Sequence, residues 1–232
     1  MPVKGSIASA GIACLSMFVF AASSTASEET ENMSQHNHTG YSEPTYKDVE
    51  EHAKRFDDPS RDEWQRPEQV LDFIDLKLND KFADLGAGTG YFSTRAAQRV
   101  KNGIVYAIDS QPEMLEYIQK RAAAAGLSNI KTHRIDHDPG DLPETVDVIL
   151  IVNTYHHIFN RISYFNNLKR WLNPDGKLVV VEGKPGTPME PPLEIRVTKE
   201  MIGDELAKAG YAQSAEAFFL PYQYLQVFRL KK

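Results

Sequence analysis

The chain has 232 residues, of which 41% are hydrophobic and 25% are charged. This composition is typical of a globular protein and excludes collagen-like and strongly disordered chains. The formal net charge is −6 and no basic run precedes the final two lysines, so nucleic acid is not expected as a partner. The one cysteine, Cys14, lies near the N-terminus, so the rest of the chain has no thiol chemistry.

The first 26 residues have the three-part layout of a secretory signal. Lys4 precedes an uncharged apolar stretch over residues 7–22, and Ser24 and Ala26 are small residues suited to cleavage after Ala26. The stretch is shorter than the roughly 20 residues of a membrane span. We therefore predict that residues 1–26 are removed and that the protein is exported, periplasmic or secreted, with no stable span afterwards. An uncleaved anchor is the alternative.

Residues 27–45 are polar and predict a disordered tether. His36 and His38 within it could touch a metal ion, but no carboxylate or cysteine cluster completes a site, so no metal is predicted. Residues 46–232 are predicted to form a single domain.

Helix and strand patterns alternate along this domain. The predicted helices are 46–56, 67–74, 91–100, 112–124, 162–172 and 198–209. The predicted strands are 81–85, 104–108, 130–135, 146–152, 177–182, 215–220 and 224–230, with a turn at 173–176. Such alternation predicts an α/β fold: a doubly wound, mostly parallel, seven-stranded sheet with helices on both faces. Ligands of such sheets bind outside the carboxyl ends of the strands.

The first predicted strand ends in Asp84 and a turn with glycines at alternate positions: Gly86, Gly88 and Gly90. Without Cβ atoms the backbone can approach a ligand closely, and the next helix points its first amides at that ligand. Tyr91 stands where a dinucleotide fingerprint requires glycine or alanine, which disfavours a pyrophosphate ligand. A P-loop is excluded, because no Gly-Lys-Ser/Thr follows.

This turn resembles the first motif of the class I, Rossmann-like S-adenosylmethionine-dependent methyltransferases of the small-molecule type. The resemblance implies that the loop, including Ala87, wraps the methionine part of S-adenosylmethionine, and that Asp84 faces its ammonium group through water. Asp109 matches the family's acid that binds the ribose hydroxyls. Ser110 and Met114 follow it, and Met114 is expected to pack on the adenine.

The third and fourth predicted strands end in further polar segments that resemble the same family. Asp138 matches the acid that contacts the adenine amino group, with Asp136 as the second choice. Asn153 opens the fourth segment, which in the family lies beside both cofactor and substrate.

Two neighbouring histidines, His156 and His157, are the candidate general bases, since neutral imidazole titrates near physiological pH. The alternative is a structural role for either. Tyr155 and Arg196 are candidate substrate contacts, although Tyr155 could simply pack and Arg196 could form a surface ion pair. Three residues before the first core helix could close over the cofactor, with core packing as the alternative for the tryptophan: Arg61, Trp64 and Gln65.

The sequence thus predicts an S-adenosylmethionine-dependent methyltransferase acting on a small-molecule acceptor, and leaves the acceptor and the oligomeric state open. Export conflicts with a cofactor that is made inside the cell. The alternative is therefore an exported small-molecule-binding protein on a methyltransferase-like scaffold, without turnover. A third reading, an NAD-dependent oxidoreductase, is disfavoured by Tyr91.

Overall fold

The computed structural model describes residues 49–135, 138–140 and 142–232. The predicted signal peptide, the tether and the alternative acid Asp136 lie outside the described residues. Among the helices that are described, none combines the length and the apolar character that crossing a membrane requires.

The described residues form seven α-helices and seven strands, which alternate from β1 to β3 and from β4 to β6. The helices are α1 (Val49–Phe56), α2 (Arg61–Gln65), α3 (Pro67–Phe73), α4 (Tyr91–Arg99), α5 (Pro112–Ala124), α6 (Arg161–Leu168) and α7 (Lys199–Lys208). The strands are β1 (Lys81–Leu85), β2 (Ile104–Asp109), β3 (Ile130–Arg134), β4 (Val146–Val152), β5 (Leu172–Gly183), β6 (Tyr211–Ala217) and β7 (Gln223–Leu230). Short 3₁₀ turns cover Tyr155–His157, Lys169–Trp171 and Leu193–Ile195.

The strands form one sheet in the order β3-β2-β1-β4-β5-β7-β6. Strand β7 runs antiparallel to both of its neighbours, and the other pairs are parallel. The predicted fold class is therefore confirmed. Because β2, β1, β4 and β5 all point the same way, the segments that follow them meet at one edge of the sheet.

Strand β4 shows why both faces of the sheet are covered. Its side chains alternate between two buried clusters, with Ile149 and Ile151 on one face and Val148 and Leu150 on the other. The first face packs against residues of α6 and α7, and the second against residues of α3 and α4. A strand that is buried on both faces is expected to be apolar along most of its length, and β4 is apolar except for the partly buried Asp147 near its start.

The structure corrects three predicted boundaries. Strand β6 covers 211–217 rather than 215–220, because the chain turns at Gly210 (φ +95°) and at once buries Tyr211, whose hydroxyl donates to the Phe165 carbonyl at 3.0 Å. The predicted turn at 173–176 is part of β5, where the register with β4 shifts. The helix predicted over 162–172 ends at Leu168 and continues as a 3₁₀ turn.

Candidate active site

A cavity of about 530 Å³ opens at the carboxyl edge of the sheet. We call it the cleft. The segments after β2, β1, β4 and β5 form its floor and sides, and the ends of α1 and α2 complete its wall. Eleven of the residues predicted from sequence or implied by the resemblance lie on it: Arg61, Trp64, Gly86, Ala87, Gly88, Asp109, Ser110, Met114, Asn153, His156 and His157.

The glycine loop between β1 and α4 is fixed by backbone bonds and tight packing. The amides of Gly86 and Ala87 both donate to the Ile108 carbonyl at 2.9 Å. Gly86 has φ +78°, and a Cβ there would lie 2.2 Å from Thr154 Oγ1, so only glycine fits. At Gly88 the same Cβ would meet nothing nearer than the Phe56 ring at 3.8 Å. The loop therefore leaves open space on its cleft side.

Asp109 ends β2 with its carboxylate held by backbone amides. Its Oδ2 accepts from the Gly88 amide at 2.8 Å and its Oδ1 from the Gln111 amide at 3.0 Å. Burial raises the pKa of Asp109, while these amides oppose the rise. Each carboxylate oxygen has a further lone pair for hydroxyl donors in the cleft.

Asp84 lies beneath the glycine loop and does not line the cleft. Its side chain is buried, and Oδ2 accepts from Ser93 Oγ at 2.6 Å. Burial raises the pKa of Asp84 from 3.8 to about 6, and the bond from Ser93 and the charge of Arg61 oppose this rise. The predicted contact with an ammonium group through water stays a prediction.

The two candidate bases differ in their surroundings. His156 is buried, and its Nδ1 lies 2.9 Å from Glu182 Oε1, although the angle is not that of a hydrogen bond. Glu182 is fully buried, and the Gly183 amide donates to its Oε1 at 2.9 Å. The His157 ring lies 4.1 Å from that of His156, and burial, followed by the neighbouring histidine, lowers the pKa of His157 to about 4. Glu182 was given no role by sequence reasoning.

The residues of α2 form one wall of the cleft. Arg61 and Trp64 line it, and the Trp64 ring packs at a tilt on Tyr222, with 6.2 Å between the ring centroids. Gln65 is fully buried and does not reach the cleft; it donates to Gln223 at 2.5 Å. Gln223 in turn donates to Asn153 at 2.7 Å, so α2 is joined to the end of β4.

Besides Asp84 and Gln65, four further residues implied or predicted as ligand contacts do not line the cleft. Gly90 is the N-cap of α4, with φ +77°. Asp138 is exposed and lies 3.7 Å from Arg170 Nη2. Arg196 forms an ion pair with Glu190, with 2.9 Å between Nη1 and Oε1, and it is Glu190 that lines the cleft. Tyr155 is fully buried and donates to Glu205 at 2.8 Å, in keeping with the packing alternative. The ligand contacts expected of these four stay predictions.

Residues 76–216 match the family described as "Methyltransferase domain". The chain belongs to this family. A solved structure of a SAM dependent methyltransferase from Aquifex aeolicus is 29% identical with a TM-score of 0.73, and the match covers 78% of this chain and 97% of that one. The family recognised from the glycine loop, its fold and its cofactor, S-adenosylmethionine, are thereby confirmed for the group to which this chain belongs.

Two curated relatives show how far the similarity extends. The chain is 32% identical over 105 residues to (S)-coclaurine N-methyltransferase of Thalictrum flavum subsp. glaucum, which is 45% of this chain and 29% of that enzyme. It is 27% identical over 128 residues to malonyl-[acyl-carrier protein] O-methyltransferase of Acetivibrio thermocellus, covering 54% of this chain and 44% of the relative. The chain thus spans less than half the length of either relative.

Proposed function

We propose that this chain transfers a methyl group from S-adenosylmethionine to a small-molecule acceptor bound in the same cleft. The observation that carries this proposal is the continuity of the cleft. It joins the glycine loop and Asp109 to the histidine pair at the end of β4. Its volume lies within the range of roughly 300–1,000 Å³ that is usual for small-molecule sites.

The residues on the β1–β2 side of the cleft fit the cofactor. The loop around Gly88 leaves room for the methionine chain, and Asp109 presents oxygens to two ribose hydroxyls. The buried thioether of Met114 supplies an apolar surface for the adenine. When bound, S-adenosylmethionine supplies a methyl group on a positively charged sulfur, and the protein supplies position and electrostatics.

The β4–β5 side of the cleft suits an apolar acceptor. Its wall is formed mainly by aromatic and aliphatic side chains: Ile158, Phe159, Tyr164, Met189 and Pro191. The carboxylate of Glu190 on this side is paired with Arg196. A small molecule with an apolar body is therefore favoured over a strongly charged one.

The lowered pKa of His157, about 4, keeps its imidazole neutral at pH 7, so a ring nitrogen is available to accept a proton. Because a general base works best with a pKa near the working pH, so weak a base suits an acceptor that loses its proton easily. His156 lies against the buried Glu182, which restrains that ring. The two histidines therefore have different proposed roles. His156 is held in place by Glu182, and His157 is the better placed to accept a proton from the acceptor.

The test is calorimetric titration of the purified protein with S-adenosylmethionine, S-adenosylhomocysteine and NAD. We expect micromolar binding of the first two and none of NAD. Asp109→Ala should weaken both by about tenfold or more, since hydrogen bonds to a charged group contribute roughly 1.5–3 kcal/mol. The control Asp175→Ala removes an exposed carboxylate near the start of β5, at the opposite end of that strand from the cleft, and should change neither affinity.

A failure to bind either adenosyl compound would contradict the proposal. The alternative of a binding protein on a methyltransferase-like scaffold would then take its place, because the cleft would be retained without its cofactor.

We also propose that the protein is exported and cleaved after Ala26, on the strength of the N-terminal layout. Mass spectrometry of the protein recovered from the periplasm and the medium of a bacterial expression host should give a chain that begins at Ser27. A chain that keeps residues 1–26 in the membrane fraction would indicate the uncleaved anchor instead.

A further inference from the structure

Arg61 places a guanidinium in the wall of the cleft. Its Nη1 donates to the Phe56 carbonyl at 2.6 Å, and its Nε and Nη2 both donate to Gln65 Oε1 at 3.3 Å. The guanidinium lies over the ring of Tyr91, 3.8 Å from its centroid. Tyr91 is the first residue after the glycine loop, so the cation stands beside that loop.

This cation has no ionic partner among the described residues. No carboxylate oxygen of that part of the chain lies within 4.0 Å of it, and the groups that hold it are a carbonyl and a neutral amide. A guanidinium has five N–H donors, and three are used. Burial lowers the pKa of Arg61 to about 10, although Tyr91, Asp57 and Asp84 act against the decrease, so the group is charged at pH 7. A desolvated cation of this kind favours an anion from outside the chain.

The guanidinium is held in place by a buried chain of amides. Gln65 and Gln223 are fully buried, and they link Arg61 to Asn153 at the end of β4. Asn153 itself has φ +52°, and its amide donates to the Val181 carbonyl at 2.9 Å. Arg61 is thus braced against the sheet rather than free to leave the wall.

We propose that Arg61 binds the carboxylate of the amino-acid part of the cofactor, with Gln65 as its positioning residue. This inference rests on the proposed function. A planar guanidinium with one free N–H on each terminal nitrogen matches a carboxylate in bidentate geometry.

The charges around the glycine loop support this assignment. Asp84 lies buried beneath the loop and Arg61 beside it, and the charge of each shifts the pKa of the other. A free amino acid carries one ammonium and one carboxylate. Resemblance gives the ammonium to Asp84, which leaves the carboxylate for the cation on the other side of the loop.

The experiment compares S-adenosylmethionine with decarboxylated S-adenosylmethionine, which differs only in lacking that carboxylate. Calorimetric affinities for both are measured with the wild type, Arg61→Met and Arg61→Lys. We expect Arg61→Met to weaken the carboxylate-bearing ligand by about tenfold or more and the decarboxylated one by about twofold at most. Arg61→Lys keeps the charge but loses the paired N–H donors of the guanidinium, so its loss of affinity for S-adenosylmethionine should be intermediate.

Arg55→Met is the matched control. Arg55 also lines the cleft, but its side chain is exposed and its guanidinium lies on the Phe56 ring, 5.0 Å from the centroid. We expect about a twofold change or less for both ligands. Equal losses of affinity for S-adenosylmethionine in Arg55→Met and Arg61→Met would mean that any positive charge near the cleft has the same effect. That result would overturn the assignment.

Gln65→Met tests the positioning role. Loosening of the wall alone would weaken both ligands equally, whereas misplacement of Arg61 weakens only the ligand that has the carboxylate. We expect a loss of about threefold or more that is confined to S-adenosylmethionine. An unchanged ratio of the two affinities in Arg61→Met overturns the inference alone, and a wild type that binds neither ligand overturns the proposed function with it.

Discussion

Two arginines in this fold, Arg161 and Arg61, have lost most of their water, and they differ in what replaced it. Arg161 donates to both oxygens of Glu205, at 2.7 and 2.9 Å, and Tyr155 donates to the same carboxylate. Arg61 is held by a carbonyl and an amide, and its charge is unmatched within 4.0 Å among the described residues. We therefore expect the charge that the fold neutralises to matter for stability, and the charge that it leaves unmatched to matter for ligand binding.

The largest effect on stability should follow from breaking the ion pair between Arg161 and Glu205. Arg161→Met leaves the buried carboxylate of Glu205 without its cation, and we expect a loss of about 3–5 kcal/mol in the free energy of unfolding. Urea denaturation measures it. In the double variant Arg161→Met/Glu205→Leu most of the stability should return, because no buried charge is then unmatched. A double variant as weak as the single one would count against this account.

The next effect concerns Asp84, a buried acid that feels the charge of Arg61 without forming an ion pair with it. Its pKa is raised from 3.8 in the unfolded chain to about 6, so the folded state binds the proton more tightly. This contribution to stability is complete at low pH and is lost as pH rises from about 4 to 6. Asp84→Asn should therefore be more stable than wild type at pH 7.5 by about 2–3 kcal/mol, and of similar stability at pH 4. Denaturant titrations at both pH values decide this; equal stability at pH 7.5 would refute it.

A smaller loss of stability is expected when Arg61, the arginine without an ionic partner among the described residues, is replaced. Arg61→Met leaves only neutral oxygens unpaired, those of Gln65 and Phe56, so we expect a loss of about 1–2 kcal/mol. The comparison with Arg161→Met under the same urea conditions is the direct measure of the difference between the two arginines. Equal losses would mean that Arg61 is a structural group like Arg161.

At neutral pH the smallest effect is expected from His157, because its imidazole is largely uncharged there in both the folded and the unfolded chain. Its pKa of about 4 lies below the value of 6.5 in the unfolded chain, so its contribution to stability is present above pH 6.5 and is lost as pH falls toward 4. The imidazole should therefore show no protonation between pH 8 and 6. Nitrogen-15 chemical shifts of the ring report its charge, with the partly exposed His133 of β3 as the internal comparison. A midpoint near 6.5 for His157 would contradict the buried environment.

The features that depended on short stretches of sequence were predictable. The glycine loop, β1 and β4 are specified by residues that stand within a few positions of one another, and their boundaries match the structure. The fold class followed because alternation of strands and helices leaves few topologies open. Strand β6 was misplaced because its first buried residue, Tyr211, packs against α6, which is distant in sequence.

The features that depended on distant partners were not predictable. Glu182 gave no signal, because an acid at a strand end looks the same whether or not a histidine lies against it. Gln65 and Gln223 are 158 positions apart, and nothing in either segment indicates their bond. The buried position of Tyr155 was unpredictable for the same reason, because the carboxylate of Glu205 that accepts its hydrogen bond lies on α7.

That bond between Gln65 and Gln223 also sets the order in which the site can be assembled. It joins the second helix of the described chain to the first residue of the last strand, so one wall of the cleft is complete only after nearly the whole chain is available. During synthesis the glycine loop and Asp109 emerge early, yet Arg61 is braced only when β7 enters the sheet beside β5. Contacts that span so many residues carry a high entropic cost of loop closure and are therefore slow to form. If Arg61 binds the carboxylate of the cofactor as proposed, tight cofactor binding requires that the last strand is already in the sheet.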